Sequence, residues 1–143
     1  MDEILYKIGD VAKSSGFSIQ TLRYYETEKI IKPNTRSPSG YRLYNKSIFS
    51  QLDNIKHLKS MGFSLPEIRD LTRMCSSTGI QTRDVKIKAQ KKLEQINEKY
   101  EMLKSIKNKL ESALNTCPGD DSNIAYCPII QPSPEQLDNN NNN

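Results

Sequence analysis

Two cysteines, Cys117 and Cys127, bracket the segment Cys-Pro-Gly-Asp-Asp-Ser-Asn-Ile-Ala-Tyr-Cys-Pro-Ile-Ile. Two soft thiolates held by a turn-forming loop make a clamp for a thiophilic ion such as Cu(I) or Zn(II). Cu(I) is satisfied by two thiolates in near-linear geometry, which leaves one net negative charge to bury, whereas Zn(II) prefers four ligands rich in Cys and His. No histidine lies near the loop; the single one, His57, is assigned no ligand role. The Asp120-Asp121 pair could supply oxygen ligands but reads better as a solvated turn that caps neighbouring amides. Cys75, the third cysteine, reads as a small buried hydrophobe. An odd cysteine count points to free thiols in a reducing compartment. No Cys-x-x-Cys pair is present, which argues against a thiol redox enzyme or a copper chaperone. A redox-sensing regulator that closes a Cys117–Cys127 disulfide stays open as a rival.

The other end of the chain has a different chemistry. Residues 1–76 carry twelve Lys/Arg against eight Asp/Glu, while 77–143 carry nine of each. A basic half beside a neutral one implies an anionic partner for the basic half. Ile8, Val11 and Ala12 share one helical face, Gly16 interrupts, and Ser18 is a good N-cap for a second helix. On that second helix Ile19, Leu22 and either Tyr24 or Tyr25 face inward, leaving Gln20, Thr21 and Arg23 outward. Two short helices joined through a Gly turn form a helix-turn-helix, whose second helix enters the major groove of DNA. Ser18 and Tyr24 complete that candidate DNA-reading set. Residues 33–44, centred on Ser-Pro-Ser-Gly, predict a short hairpin. Its Arg36, Tyr41 and Arg42 are the candidate phosphate contacts, which position a protein on duplex DNA without reading its sequence.

Further elements must position these groups. Ile48, Phe49, Leu52, Ile55, Leu58 and Met61 keep helical spacing from Asn45 to about Met61. Ser64-Leu-Pro-Glu67 then starts a short helix through about Met74. The longest element spans about 83–116, with Leu93, Ile96, Tyr100, Leu103, Leu110 and Leu114 alternating by threes and fours and Lys107 interrupting one position. That is a coiled-coil seam, so the helix should bury itself against a second copy. Ile96, Leu103, Leu110 and Cys117 repeat by sevens, and the same phase read backwards reaches Ala89 and Thr82. Thr82 and Cys117 lie about 50 Å apart along one helix. In an antiparallel dimer the partner's Thr82 would instead roof the cysteine loop; Thr82 also reads as the helix N-cap. No apolar stretch approaches a membrane span of about 18–20 residues. The N-terminus lacks a signal peptide's pattern, so a cytoplasmic location is expected. No catalytic constellation is evident, and the chain is expected not to be an enzyme.

The motifs Ile8-Gly-Asp-Val-Ala, Thr21-Leu-Arg-Tyr-Tyr-Glu, Arg36-Ser-Pro-Ser-Gly-Tyr-Arg-Leu-Tyr and Gly62-Phe-Ser-Leu-Pro-Glu-Ile together resemble the MerR family of transcription regulators over residues 5 to about 130. The resemblance implies a mainly α fold: a winged helix-turn-helix DNA-binding head (5–74), an antiparallel coiled-coil dimerisation helix (82–116) and a C-terminal metal-binding loop (117–128), followed by a flexible tail (129–143). It implies a homodimer on double-stranded promoter DNA with an overlong spacer, where effector binding distorts the duplex so that RNA polymerase can use both promoter elements. Cys117 and Cys127 resemble the ligand pair of the copper-efflux branch, implying Cu(I), with Ag(I) and Au(I) as congeners. The position matching Thr82 is typically Cys in divalent-ion members and Ser in monovalent-ion members; Thr82 resembles the latter. The nine residues between the thiols exceed the family's usual spacing. A divalent soft metal (Zn, Cd, Pb or Hg) is the alternative, with Cys75 as a third thiolate brought in by its loop.

Overall fold

The computed structural model describes residues 4–75, 79–121, 123–124 and 127–131. Residues 76–78, much of the cysteine loop's far side, and the expected flexible tail beyond Gln131 lie outside the described residues. The chain divides into two units, Met1–Lys92 and Leu93–Asn143.

In the first unit the order is β1 (Tyr6–Lys7), α1 (Ile8–Ser15), α2 (Ile19–Thr27), β2 (Thr35–Arg36), β3 (Arg42–Tyr44), α3 (Ser47–Ser60) and α4 (Leu65–Cys75). It ends with the opening turns of α5 (Thr82–Thr116), which continues through the second unit. α1 stops at Gly16, whose φ of 77° closes a left-handed cap with its N–H on Ala12 O; only glycine adopts that conformation without a steric cost. Two residues later Ser18 Oγ accepts the Thr21 N–H at 3.0 Å and opens α2. A tight Gly-containing corner and a good cap therefore fold the helix-turn-helix from local chemistry alone. Beyond α2, Lys29 takes a left-handed φ of 57°. The chain there turns back, and Ile30 and Ile31 enter the core.

That core is formed by Val11, Leu22, Tyr25, Ile30, Ile31, Tyr44, Ile48, Leu52, Ile55 and Ile68. Each fully buried aliphatic of this set is worth about 1.5–3 kcal/mol over its exposed state, which is how short helices and two-residue strands persist. The sheet is small, with order β1-β3-β2 and both pairings antiparallel. β2 and β3 form the expected hairpin; β1 is an addition that sequence periodicity did not reveal, since two residues show no alternation.

Three expectations are corrected here and one open alternative is resolved. Ile19 is exposed rather than inward, because it is the first residue of α2 and lies ahead of the core. The inward tyrosine is Tyr25, at 1% exposure, while Tyr24 is 49% exposed. Cys75 is exposed: it ends α4, one turn past the last core residue of that helix, Leu71. Thr82 is the first residue of α5 and does not cap it. Gln81 stands at the cap position, and Asp84 Oδ2 in the first turn accepts its N–H at 2.9 Å.

α4 opens with the expected Ser64–Glu67 box, in which Glu67 Oε2 accepts the Ser64 N–H at 2.7 Å. The same Oε2 lies 2.7 Å from Lys92 Nζ on α5, and that ammonium stands 5.7 Å from the centre of the Phe63 ring. Glu67 thus joins the start of α4 to the third turn of α5. The Lys92 hydrogen bond, followed by the Ser64 N–H, lowers its pKa from the ordinary 4.5 to about 2. A carboxylate more acidic in the folded state stabilises it above its unfolded pKa, and that contribution is lost as pH falls from about 4.5 towards 2. Because Glu67 is partly solvated, about 1 kcal/mol is the expected scale. Urea unfolding of the wild type and Glu67→Gln should differ by about that amount at pH 7, with the difference shrinking steadily below pH 4.5.

Candidate metal centre and nucleic-acid interface

α5 ends where Pro118 and Gly119 interrupt it. The Cys117 N–H still donates to Ala113 O at 3.0 Å, so this thiol is carried on the helix's final hydrogen bond. Gly119 takes φ 64°, and the chain turns back. Cys127 is held at both ends: its N–H donates to Ile124 O at 3.0 Å, and its carbonyl accepts from Ile130 and Gln131. The outcome is that Cys117 Sγ and Cys127 Sγ lie 3.9 Å apart, both half-buried. They line an open cleft of about 270 Å³ together with Pro118, Gly119, Asp120, Asn123 and Ile124.

The electrostatics favour a thiolate. The Ile129 N–H above all, and then the Cys117 thiol and the Ile130 N–H, lower the pKa of Cys127 against a smaller opposing effect of desolvation. Backbone donors aimed at sulfur stabilise negative charge without adding a counter-ion. With metal–sulfur bonds of about 2.3 Å, a tetrahedral ion needs sulfurs about 3.8 Å apart and a linear one about 4.6 Å. The observed separation suits the first, and the second needs an opening of less than 1 Å. Distance alone does not choose the ion. Among the described residues no cluster of three or more His, Cys, Asp or Glu side chains surrounds a common point. The residues present fit a soft ion held by two sulfurs.

In the first unit Gln20, Arg23 and Tyr24 project from α2 into solvent. Thr21 is half-buried, and its hydroxyl lies 2.8 Å from Ser18 Oγ, so both hydroxyls are engaged at the helix cap. On the hairpin Tyr41 is 62% exposed. Arg36 Nη1 donates to Gly40 O at 3.1 Å and braces the turn. Arg42 Nε is 2.7 Å from Glu26 Oε2 on α2, which ties this arginine inward on one side. Sequence reading missed that partner because sixteen positions and a change of element separate the two. It also missed Lys7, an exposed cation 5.7 Å from the Tyr41 ring centre, placed there by strand β1. Among the described residues no helix is long and apolar enough to cross a membrane.

Comparison with known proteins adds to this geometry. The family description "MerR HTH family regulatory protein" matches residues 6–75, and "MerR, DNA binding" matches residues 49–113. The chain is 36% identical over 124 residues to the HTH-type transcriptional regulator CueR of Escherichia coli O6:H1, covering 87% of this chain and 90% of the relative. It is 30% identical over 128 residues to the regulator ZntR of Escherichia coli K12, covering 89% and 91% respectively. Among solved structures it resembles the dual function transcriptional regulator MerR of Bacillus megaterium MB1 in complex with mercury(II), with a TM-score of 0.66 at 31% identity over 92% of this chain and 98% of that one.

The thiol geometry generates a direct test. Mild oxidation with diamide should link Cys117 to Cys127 and leave Cys75 open to alkylation, as read by peptide mass spectrometry. A dominant linkage involving Cys75 would contradict the observed pairing.

Proposed function

The chain belongs to the MerR family of helix-turn-helix transcription regulators, DNA-binding proteins rather than enzymes, and from that premise we propose that it is a homodimeric activator responsive to Cu(I). In this reading Cys117 and Cys127 bind the ion, with Ag(I) and Au(I) as congeners. Gln20, Thr21 and Arg23, bordered by Ser18 and Tyr24, face the major groove. Arg36, Tyr41 and Arg42 approach phosphates. The dimer sits in the cytoplasm on promoters of copper export or detoxification genes. Ion binding shifts it towards the state that deforms the promoter for RNA polymerase, so the ion's differential affinity for the two states drives the DNA distortion.

The observation that carries the monovalent choice is the donor set, two sulfurs with no third ligand cluster among the described residues. Two thiolates around Cu(I) keep one negative charge, and the Ile129 and Ile130 N–H groups directed at Cys127 suit that residual charge. A divalent ion would be neutral with two thiolates and would demand further ligands. Likeness to CueR at 36% identity supports the same choice, while likeness to ZntR at 30% keeps a divalent ion as the second reading.

The roof of the site comes from the partner in this proposal. Placing Thr82 against the partner's Cys117 sets a register for two antiparallel α5 helices. The same register sets Val85 against the partner's Leu114, Ala89 against the partner's Leu110, Leu93 against the partner's Ile106, and Ile96 against the partner's Leu103. Every one of these side chains is exposed in the single chain. Lys107 would approach the partner's Lys92, but each is already paired in its own chain, Lys107 with Glu111 and Lys92 with Glu67.

Titration of the reduced dimer against a Cu(I) chelator should give tight binding that Cys117→Ser or Cys127→Ser weakens by at least about 100-fold, the loss of one of only two ligands. Transcription in vitro should respond to Cu(I) and not to Zn(II); the reverse response overturns the reading. Replacing the roof hydroxyl by a thiol, Thr82→Cys, should raise Zn(II) affinity by about tenfold or more by adding a third thiolate. No gain would contradict the placement of Thr82 over the partner's site.

A further inference from the structure

Glu26 stands in the last turn of α2, where the helix's partial negative charge disfavours a carboxylate. Its side chain is only 10% exposed. Both oxygens are nevertheless satisfied, and both from strand β3. Tyr44 donates its hydroxyl to Oε1, and Arg42 Nε lies 2.7 Å from Oε2. Tyr44 is 1% exposed, so it has no route to a ligand outside the head. Burial first, and then the Glu26 carboxylate, push its hydroxyl pKa well above the ordinary tyrosine range, so the donor persists at physiological pH.

β3 is the middle strand of the sheet. It carries the hairpin through the pairs Thr35↔Leu43 and Arg36↔Arg42, and it joins the N-terminal strand through Tyr6↔Tyr44. A single contact between α2 and β3 would leave a pivot. Two charge-assisted contacts on one carboxylate fix both position and rotation. The location of the carboxylate, unfavourable for the helix by itself, becomes intelligible as the point where helix and hairpin are joined.

We infer that Glu26 is a positioning residue for DNA binding: it holds the recognition helix α2 and the hairpin in one fixed relation, with Arg42 and Tyr44 as its two anchors. The inference rests on the DNA-reading role of the head. Preorganising two contact elements removes an ordering cost that would otherwise be met on binding. Arg42 then serves DNA affinity partly through the pose of the hairpin, since its Nε is committed inward.

The alternative is a simple charge effect, and it predicts the opposite sign. Glu26→Gln adds one positive charge per chain, which by itself strengthens binding to an anionic duplex. Tyr44→Phe changes no charge, keeps the buried ring, and removes only one anchor. The full-length chain and both variants are titrated by fluorescence anisotropy onto a labelled mixed-sequence duplex of about 30 base pairs across a salt series. Circular dichroism is used to confirm that each is folded at the assay temperature. The expected result is that folded Tyr44→Phe binds about three- to tenfold more weakly, with a shallower salt dependence as hairpin phosphate contacts are lost. Glu26→Gln should weaken in the same direction despite its added charge. Should Glu26→Gln fail to fold, Tyr44→Phe decides alone. Variants that are folded yet bind as tightly as wild type, with an unchanged salt slope, overturn the inference while leaving the DNA role intact. Failure of the wild-type chain to bind defeats both.

Discussion

The constraint on which the rest depends is that α5, thirty-five residues long, buries no residue within its own chain. Leu93, Ile96, Tyr100, Leu103, Ile106, Leu110 and Leu114 all stand exposed along it. Helices gain most of their stability from packing an apolar face, so a stripe of this length is a demand for a second surface. A second copy of the same helix meets the demand with a repeat already matched to it. The proposed effector site inherits that requirement. Its two sulfurs come from one chain, and what covers them in the proposed dimer comes from the other.

The head meets a different problem. Its strands have two or three residues and its first two helices have eight and nine. Such elements hold only when fastened to one another. The shared core supplies the apolar part, and single carboxylates supply the directional part. Glu26 fastens α2 to β3, and Glu67 fastens the start of α4 to Lys92 on α5. Both are acidic groups in a basic half, each spent on cations inside the fold. Exposed Arg23, Lys7 and Tyr41 are left facing solvent, where an anionic duplex would approach.

Much of this was legible in the sequence because it depends on local chemistry. Gly16 and Ser18 mark a corner and a cap with residue types that serve little else, and the structure has both. The Ser64–Glu67 box and the end of α5 ahead of Pro118 and Gly119 were readable for the same reason, as was the family. What stayed hidden depends on distant residues. Arg42 reads as a free phosphate donor until Glu26 is found beside it. Thr82 looks like a cap, but Gln81 stands at that position, with its N–H bonded to Asp84. Ile19 and Cys75 have apolar or neutral side chains, yet each lies at a helix end beyond the reach of the core. The thiols were visible as types, whereas their 3.9 Å separation depends on Cys127 being held by the backbone of Ile124 and of the turn after it.

The direction and register of the paired α5 helices can be read directly by cross-linking. Cysteines introduced as Val85→Cys and Leu114→Cys, singly and together, in a chain whose native cysteines are replaced by serine, can be oxidised and run on a non-reducing gel. Head-to-tail pairing in the proposed register predicts a covalently linked dimer when both substitutions are present and little when either is alone. Efficient cross-linking of Val85→Cys to itself, or a chain that sediments as a monomer, would contradict it.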